Sequence, residues 1–187
     1  MIAPFTVTAS STGGGVRDLW RKVGDELKLV PVKRDEDGYG CPDPKRYKLI
    51  LSGLSDSFEE EDRYNPGEIK TKVVCEFMVV GSKKWEGTRF SSFYNVPKDW
   101  TDDRAYLGHL AAALNGKSRL EKGDAVNFQQ HILHETVFEA ALEVQSSARG
   151  YDYPKITTYL ALDPDDDDSA PVAPRQRAIA SDDEFPE

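Results

Sequence analysis

Basic and aromatic side chains recur together at three places in this 187-residue chain. Lys70 and Lys72 alternate in one segment. Lys83, Lys84 and Trp85 follow in a glycine-bounded turn that leads to Arg89 and Phe93. Arg149, Tyr151, Tyr153 and Lys155 alternate in a third segment, across Gly150 and Pro154. Cations that neutralise phosphates, set beside flat rings on which bases stack at about 1–3 kcal/mol each, are what a single-stranded nucleic acid requires. Arg46, Tyr47 and Lys48 either extend that path or flank a strand. The plainer alternative is that Phe93 is core, the lysines keep a surface soluble, and Gly150 and Pro154 only shape a turn.

Other chemistries find less support. His131, His134 and Glu135 (HILHE) have metal-like spacing, but their order matches neither HExxH nor HxxEH. Cys41 and Cys75 form no CxxC pair and read as two reduced, unreactive thiols. The chain contains neither GxxxxGK[ST] nor GxSxG. The expectation is a protein with no catalytic residue, no metal and no cofactor.

The elements that must position these residues read mainly as strands. Arg46–Leu54, Ile69–Val80, Thr88–Val96, Thr136–Val144 and Lys155–Leu162 are rich in β-branched and aromatic residues. In the second, Ile69, Thr71, Val73, Cys75, Phe77 and Val79 share one face; Lys70, Lys72, Glu76 and Met78 share the other. In the third, Phe90, Ser92, Tyr94 and Val96 oppose Arg89, Ser91, Phe93 and Asn95. The apolar stripe Tyr106, Leu107, Leu110, Ala111 and Leu114 predicts a helix, capped by Thr101 or Asp102, with acids in its first turn, and stopped by Asn115-Gly116. A shorter helical turn is expected over Phe128 to Leu133. Upstream, Val16, Leu19, Trp20 and Val23 recur at helical spacing before Gly24, and an edge strand is expected over Leu27 to Pro31. The order strand, strand, strand, helix, strand, strand predicts an all-β fold with one main helix: an OB-type five-stranded barrel with the helix between strands 3 and 4. An α+β sandwich with the same element order is the rival. Residues 1–44 are assigned to an N-terminal extension with a flexible leader at 9–15, residues 45–162 to the barrel, and 163–187 to a disordered acidic tail.

Charge is unevenly spread. The net charge is -9, yet residues 163–187 hold nine acids and two arginines, for -7. Residues 55–68 hold six acids and one arginine, for -5, which leaves +3 for the rest. A mildly basic groove is therefore compatible with an acidic chain. No run approaches the ~20 apolar residues of a membrane span, and the first 15 residues lack a signal-peptide pattern. A cytoplasmic protein without membrane contact is expected.

The stretch from Lys45 to Leu162 resembles OB-fold single-stranded-DNA-binding proteins of bacteriophages and mobile elements. The residues that carry the likeness are EFMVVGSKKWEGTRFSSFYNV with its GxxxxEG hairpin, the helix LGHLAAAL, and the closing pair VFEAALEV and YPKITTYLAL. The resemblance implies sequence-tolerant binding of single-stranded DNA during replication or recombination, in a bacterial host cell. It implies DNA and protein partners and no cofactor, and the acidic segment 55–68 departs from a basic groove edge. The tail is similar to that of bacterial single-stranded-DNA-binding proteins: acids, a Pro/Ala spacer, then Asp182, Asp183, Glu184, Phe185 and Pro186. That likeness implies a docking tip for replication or recombination proteins, although Glu187 bears the terminal carboxylate. A non-catalytic interaction module and an RNA-binding protein remain alternatives, and self-association into a homo-oligomer stays open.

Overall fold

A computed structural model of the protein describes residues 18–162. The expected leader at 9–15, the acidic tail, and the start of the expected helix at Val16 lie outside the described residues.

Strand alternation builds the core. In β5 (Ile69–Val80), Val73, Cys75, Phe77 and Val79 are fully buried, as one face of a pleated strand requires. β3 (Arg46–Leu54) runs antiparallel to it and adds Leu49 and Leu51. β6 (Arg89–Asn95) pairs with the far edge of β5 and turns Phe90 and Tyr94 inward. β7 (Val137–Ser146) pairs with the first half of β3, and β8 (Asp152–Leu160) pairs with β7. The strand order is thus β6-β5-β3-β7-β8, all antiparallel. The sheet curls until its two end strands face each other, and Tyr94 and Tyr159 share a hydroxyl hydrogen bond of 2.5 Å across the gap. No ladder joins β6 to β8. The expected barrel is therefore not closed: side chains bridge the seam where backbone pairing would have sealed it.

Two helices lie between β6 and β7. α1 (Tyr106–Leu114) buries Leu107, Leu110, Ala111 and Leu114 and packs on β6, β7 and β8. Its fit depends on Gly108, because a Cβ there would sit 2.4 Å from the Trp100 carbonyl oxygen. Its start corrects the expected cap: Ala105 occupies the N-cap with no side-chain hydrogen bond, and no acid stands in the first turn. Asp102 instead accepts a hydrogen bond from the Arg104 backbone N–H at 2.8 Å, which shapes the loop before the helix. α2 (Phe128–His134) is capped by Asn127, which accepts from the Gln130 N–H.

Two further strands depart from the sequence reading, and the edge strand expected over Leu27 to Pro31 is present one residue earlier. The residues expected to begin a helix form β1 (Leu19–Val23), which makes a hairpin with β2 (Glu26–Val30). Gly24 does not stop a helix; it supplies the φ of +66° that the two-residue turn demands. Trp20 and Arg21 pair with Leu54 and Gly53 of β3, and Leu19 is buried with Phe58 and Val74. This pairing and burial outweigh an eight-residue helical spacing that is too short to decide the matter. The acidic segment 55–68 is also more than a loop, since β4 (Phe58–Glu61) pairs with Ile69 to Lys72 of β5. The sheet thus has eight strands among the described residues rather than five. No helix among them is long and apolar enough to cross a membrane.

Candidate nucleic-acid interface

Four of the residues singled out in the sequence, Lys70, Lys72, Arg89 and Phe93, lie on the outward face of β5 and β6, whose two ends have different surroundings. Cross-strand pairs run Met78–Arg89, Glu76–Ser91, Val74–Phe93 and Lys72–Asn95. At the Glu76 end, the carboxylate has no exposed surface and is surrounded by donors. Arg21 Nε donates to Oε1 at 3.0 Å, Arg89 Nη1 donates to Oε1 at 3.0 Å, Ser52 Oγ donates at 2.9 Å, and the Tyr39 hydroxyl donates to Oε2. Arg21 also bridges to Asp37, whose pKa is lowered by the Lys33 backbone N–H and by Arg21 itself. Burial, followed by the bond to Glu76, pushes the Tyr39 phenol up, so it stays a donor. The segment around residues 37–43 covers this end of the sheet.

Tyr39 and Gly40 of that segment border a groove at its far side. The seam between β6 and β8 forms a groove of two cavities, about 610 and 680 Å³, within the size range of ligand sites. Ser92, Phe93 and Lys155 line both, so the cavities adjoin. Phe93 is 64% exposed and meets Phe58 in a T-shaped contact, with ring centroids 6.4 Å apart. Tyr106 at the start of α1 is 61% exposed, and Tyr153 on β8 is 43% exposed. Lys72, Lys98, Arg104, Lys155 and Arg34 line the groove with three carboxylates, Asp99, Asp102 and Asp152. The balance is +2. The carboxylates are engaged: Asp99 by Thr101, Asp102 by the Arg104 N–H, and Asp152 by Ser146. Lys98, Arg104 and Lys155 make no ion pair among the described residues. Tyr94 and Tyr159 form the floor, and burial raises both phenols so they remain neutral.

The structure therefore separates the residues expected to act together. Phe93, Lys155, Tyr153 and Lys72 meet at the groove. Arg149 and the 73% exposed Tyr151 stand at the β7–β8 hairpin beside it. Arg89 is committed to Glu76. Lys84 and the Trp85 indole N–H both bond to Asp43, and Lys84 lies 4.7 Å over the Trp85 ring, which is half-buried against the core. Lys83 is exposed on that same remote turn. Lys70 pairs with Asp62, and Lys72 with Glu60. The tail residues Asp182, Asp183, Glu184, Phe185 and Pro186 lie outside the described residues.

Sequence reasoning missed Arg34, Lys98, Arg104 and Tyr106. Lys98 and Arg104 belong to the connection between β6 and α1, and Tyr106 opens α1. The signal was two cations and an aromatic next to the helix start, where α1 packs on β6 and β8. His131 is structural. Its Nε2 donates to Asn115 Oδ1 at 3.0 Å while Nδ1 takes the Thr136 hydroxyl, which ties α2 to the end of α1 and the start of β7. The Asn115 amide donates to Ala125 O, which assigns its oxygen to the imidazole. Burial lowers the His131 pKa, in keeping with a neutral ring. Among the described residues no three His, Cys, Asp or Glu side chains converge as a metal site would need.

No protein-family model matches the chain, and no curated protein matches it either.

Proposed function

We propose that the protein binds single-stranded DNA without sequence preference along the β6–β8 groove of an open OB-type barrel. The observation that carries this reading is the groove itself. Two adjoining cavities hold three exposed rings, Phe93, Tyr106 and Tyr153, beside Lys98, Arg104 and Lys155, which have no carboxylate partner among the described residues. Stacking supplies sequence-tolerant affinity because every base has a flat face, and the cations neutralise the backbone. The strand order β6-β5-β3-β7-β8 and the helices inserted between β6 and β7 support the OB-type assignment. A role in replication or recombination, and docking of partner proteins through Asp182 to Pro186, draw support from the resemblance in sequence.

Fluorescence anisotropy with labelled oligo-dT, duplex DNA and RNA of equal length, over a range of salt, tests the reading. The expected result is preferential oligo-dT binding that weakens with salt. A folded protein that fails to bind oligo-dT even at low salt overturns it, and tighter binding to RNA reassigns the groove to that polymer.

A further inference from the structure

The groove is bordered by a carboxylate that occupies one of its own lysines. β4 and β5 pair with Phe58 opposite Lys72 and Glu60 opposite Lys70, so Glu60, Lys70 and Lys72 lie on one face of the hairpin. The two lysines then step diagonally, Lys70 to Asp62 and Lys72 to Glu60. These pairs are not equivalent. Asp62 is buried and also accepts from the Asn65 amide and the Tyr64 N–H; with Lys70 as the largest cause, its pKa falls to about 2. That pair latches the hairpin. Glu60 is far more exposed, and its lysine lines the groove beside Phe93 and Asn95.

We propose that Glu60 is an internal competitor for phosphate at Lys72, so that the acidic hairpin restrains binding in the groove. The inference rests on the nucleic-acid reading of that groove. A phosphate reaching Lys72 must displace Glu60, and exposed ion pairs are weak enough to be exchanged. The exchange also changes the salt dependence. When a lysine neutralises a phosphate, a counterion leaves the strand, contributing about 0.7 to the salt slope on single strands. With Glu60 present, the carboxylate displaced from Lys72 turns to another cationic group, which offsets that release. Lys72 is therefore silent in the salt slope of the wild-type protein.

The test uses the full chain, labelled oligo-dT and the variants Glu60→Gln, Glu59→Gln, Lys72→Ala and the Glu60→Gln/Lys72→Ala pair. Glu59 pairs opposite Thr71 on the other face of the hairpin, so its variant removes the same charge without freeing Lys72. Glu60→Gln is expected to tighten binding by up to about fivefold, the strength of an exposed pair, and to steepen the slope by about 0.7. Glu59→Gln should change the slope by much less. Lys72→Ala should cost more affinity in the Glu60→Gln background than in the wild type. Equal gains from Glu59→Gln and Glu60→Gln, or an equal cost of Lys72→Ala in both backgrounds, overturn the competition. Matching circular dichroism spectra verify that the variants fold. Failure of the folded wild-type chain to bind oligo-dT overturns the groove reading itself, a result distinct from either of those.

Discussion

The two ends of the β5–β6 outer face are made from similar residues and have opposite fates. At one end Glu76, Arg21, Arg89 and Tyr39 saturate one another beneath the N-terminal hairpin and the segment that follows it. At the other, Phe93 and Lys155 face an open groove, with Lys98 and Arg104 close by. A buried carboxylate with two arginines and two hydroxyls is complete, and an incoming phosphate finds no vacant donor there. A lysine at an uncovered seam keeps its charge for an outside partner. Arginines and aromatics on one sheet face thus become structural or ligand-facing according to what covers them, and residue type alone does not distinguish the two.

Substitutions that act on one end only can break this contrast. Glu76→Ala should have the largest effect, because it leaves Arg21 and Arg89 without their shared carboxylate. Breaking a buried pair costs about 3–5 kcal/mol, read as a lower urea midpoint. A stability near wild type would mean that the covered end is not a saturated cluster. Gly108→Ala should destabilise by about 1–3 kcal/mol through overpacking against Trp100. It should also weaken oligo-dT binding, since Arg104 and Tyr106 at the start of α1 line the groove.

Phe93→Ala should leave stability almost unchanged and lose about 1–3 kcal/mol of oligo-dT binding. Trp85→Ala should do the reverse, because its ring packs on the core and its N–H is held by Asp43. Equal binding losses for the two would return the turn at 81–87 to the interface. Ala at Lys98, Arg104 or Lys155 should each lower the salt slope by about 0.7, whereas Arg89→Ala should lower stability instead. The smallest effect concerns pH. Asp62 has a folded pKa near 2, below its ordinary 3.8, with Lys70 the main cause. Its stabilisation is therefore complete above about pH 4 and is lost as pH falls towards 2. Asp62→Asn should melt earlier than wild type at neutral pH and converge with it in acid; a constant gap across that range would detach Asp62 from the titration.

Much of the fold was legible because strand and helix periods are local. Arg46–Leu54, Ile69–Val80 and Tyr106–Leu114 were read with the bounds the structure has, since pleat alternation and a 3.6-residue stripe leave a direct imprint on the chain. β1 and β4 were not. Their residues become strands by pairing with β3 and β5, and Glu59 to Glu61 carry no apolar alternation of their own. At the site, Phe93 was found from its strand and Lys155 from the alternation of the segment before the last strand, while Arg34, Lys98 and Arg104 join them through chain separations that no local pattern encodes.

What the sequence determined by itself is therefore the inventory of strands with a pattern of their own, which of their residues share a face, and where charge and rings are concentrated. Only the tertiary structure decided which of those charges are free. Lys70, Lys72, Lys84 and Arg89 all looked available in sequence, yet each meets a carboxylate brought from elsewhere: Asp62, Glu60, Asp43 and Glu76. A side chain's electrostatic freedom depends on groups within a few ångströms in space. Folding sets those neighbours by pairing distant strands, and periodicity along the chain records only the face on which each residue stands.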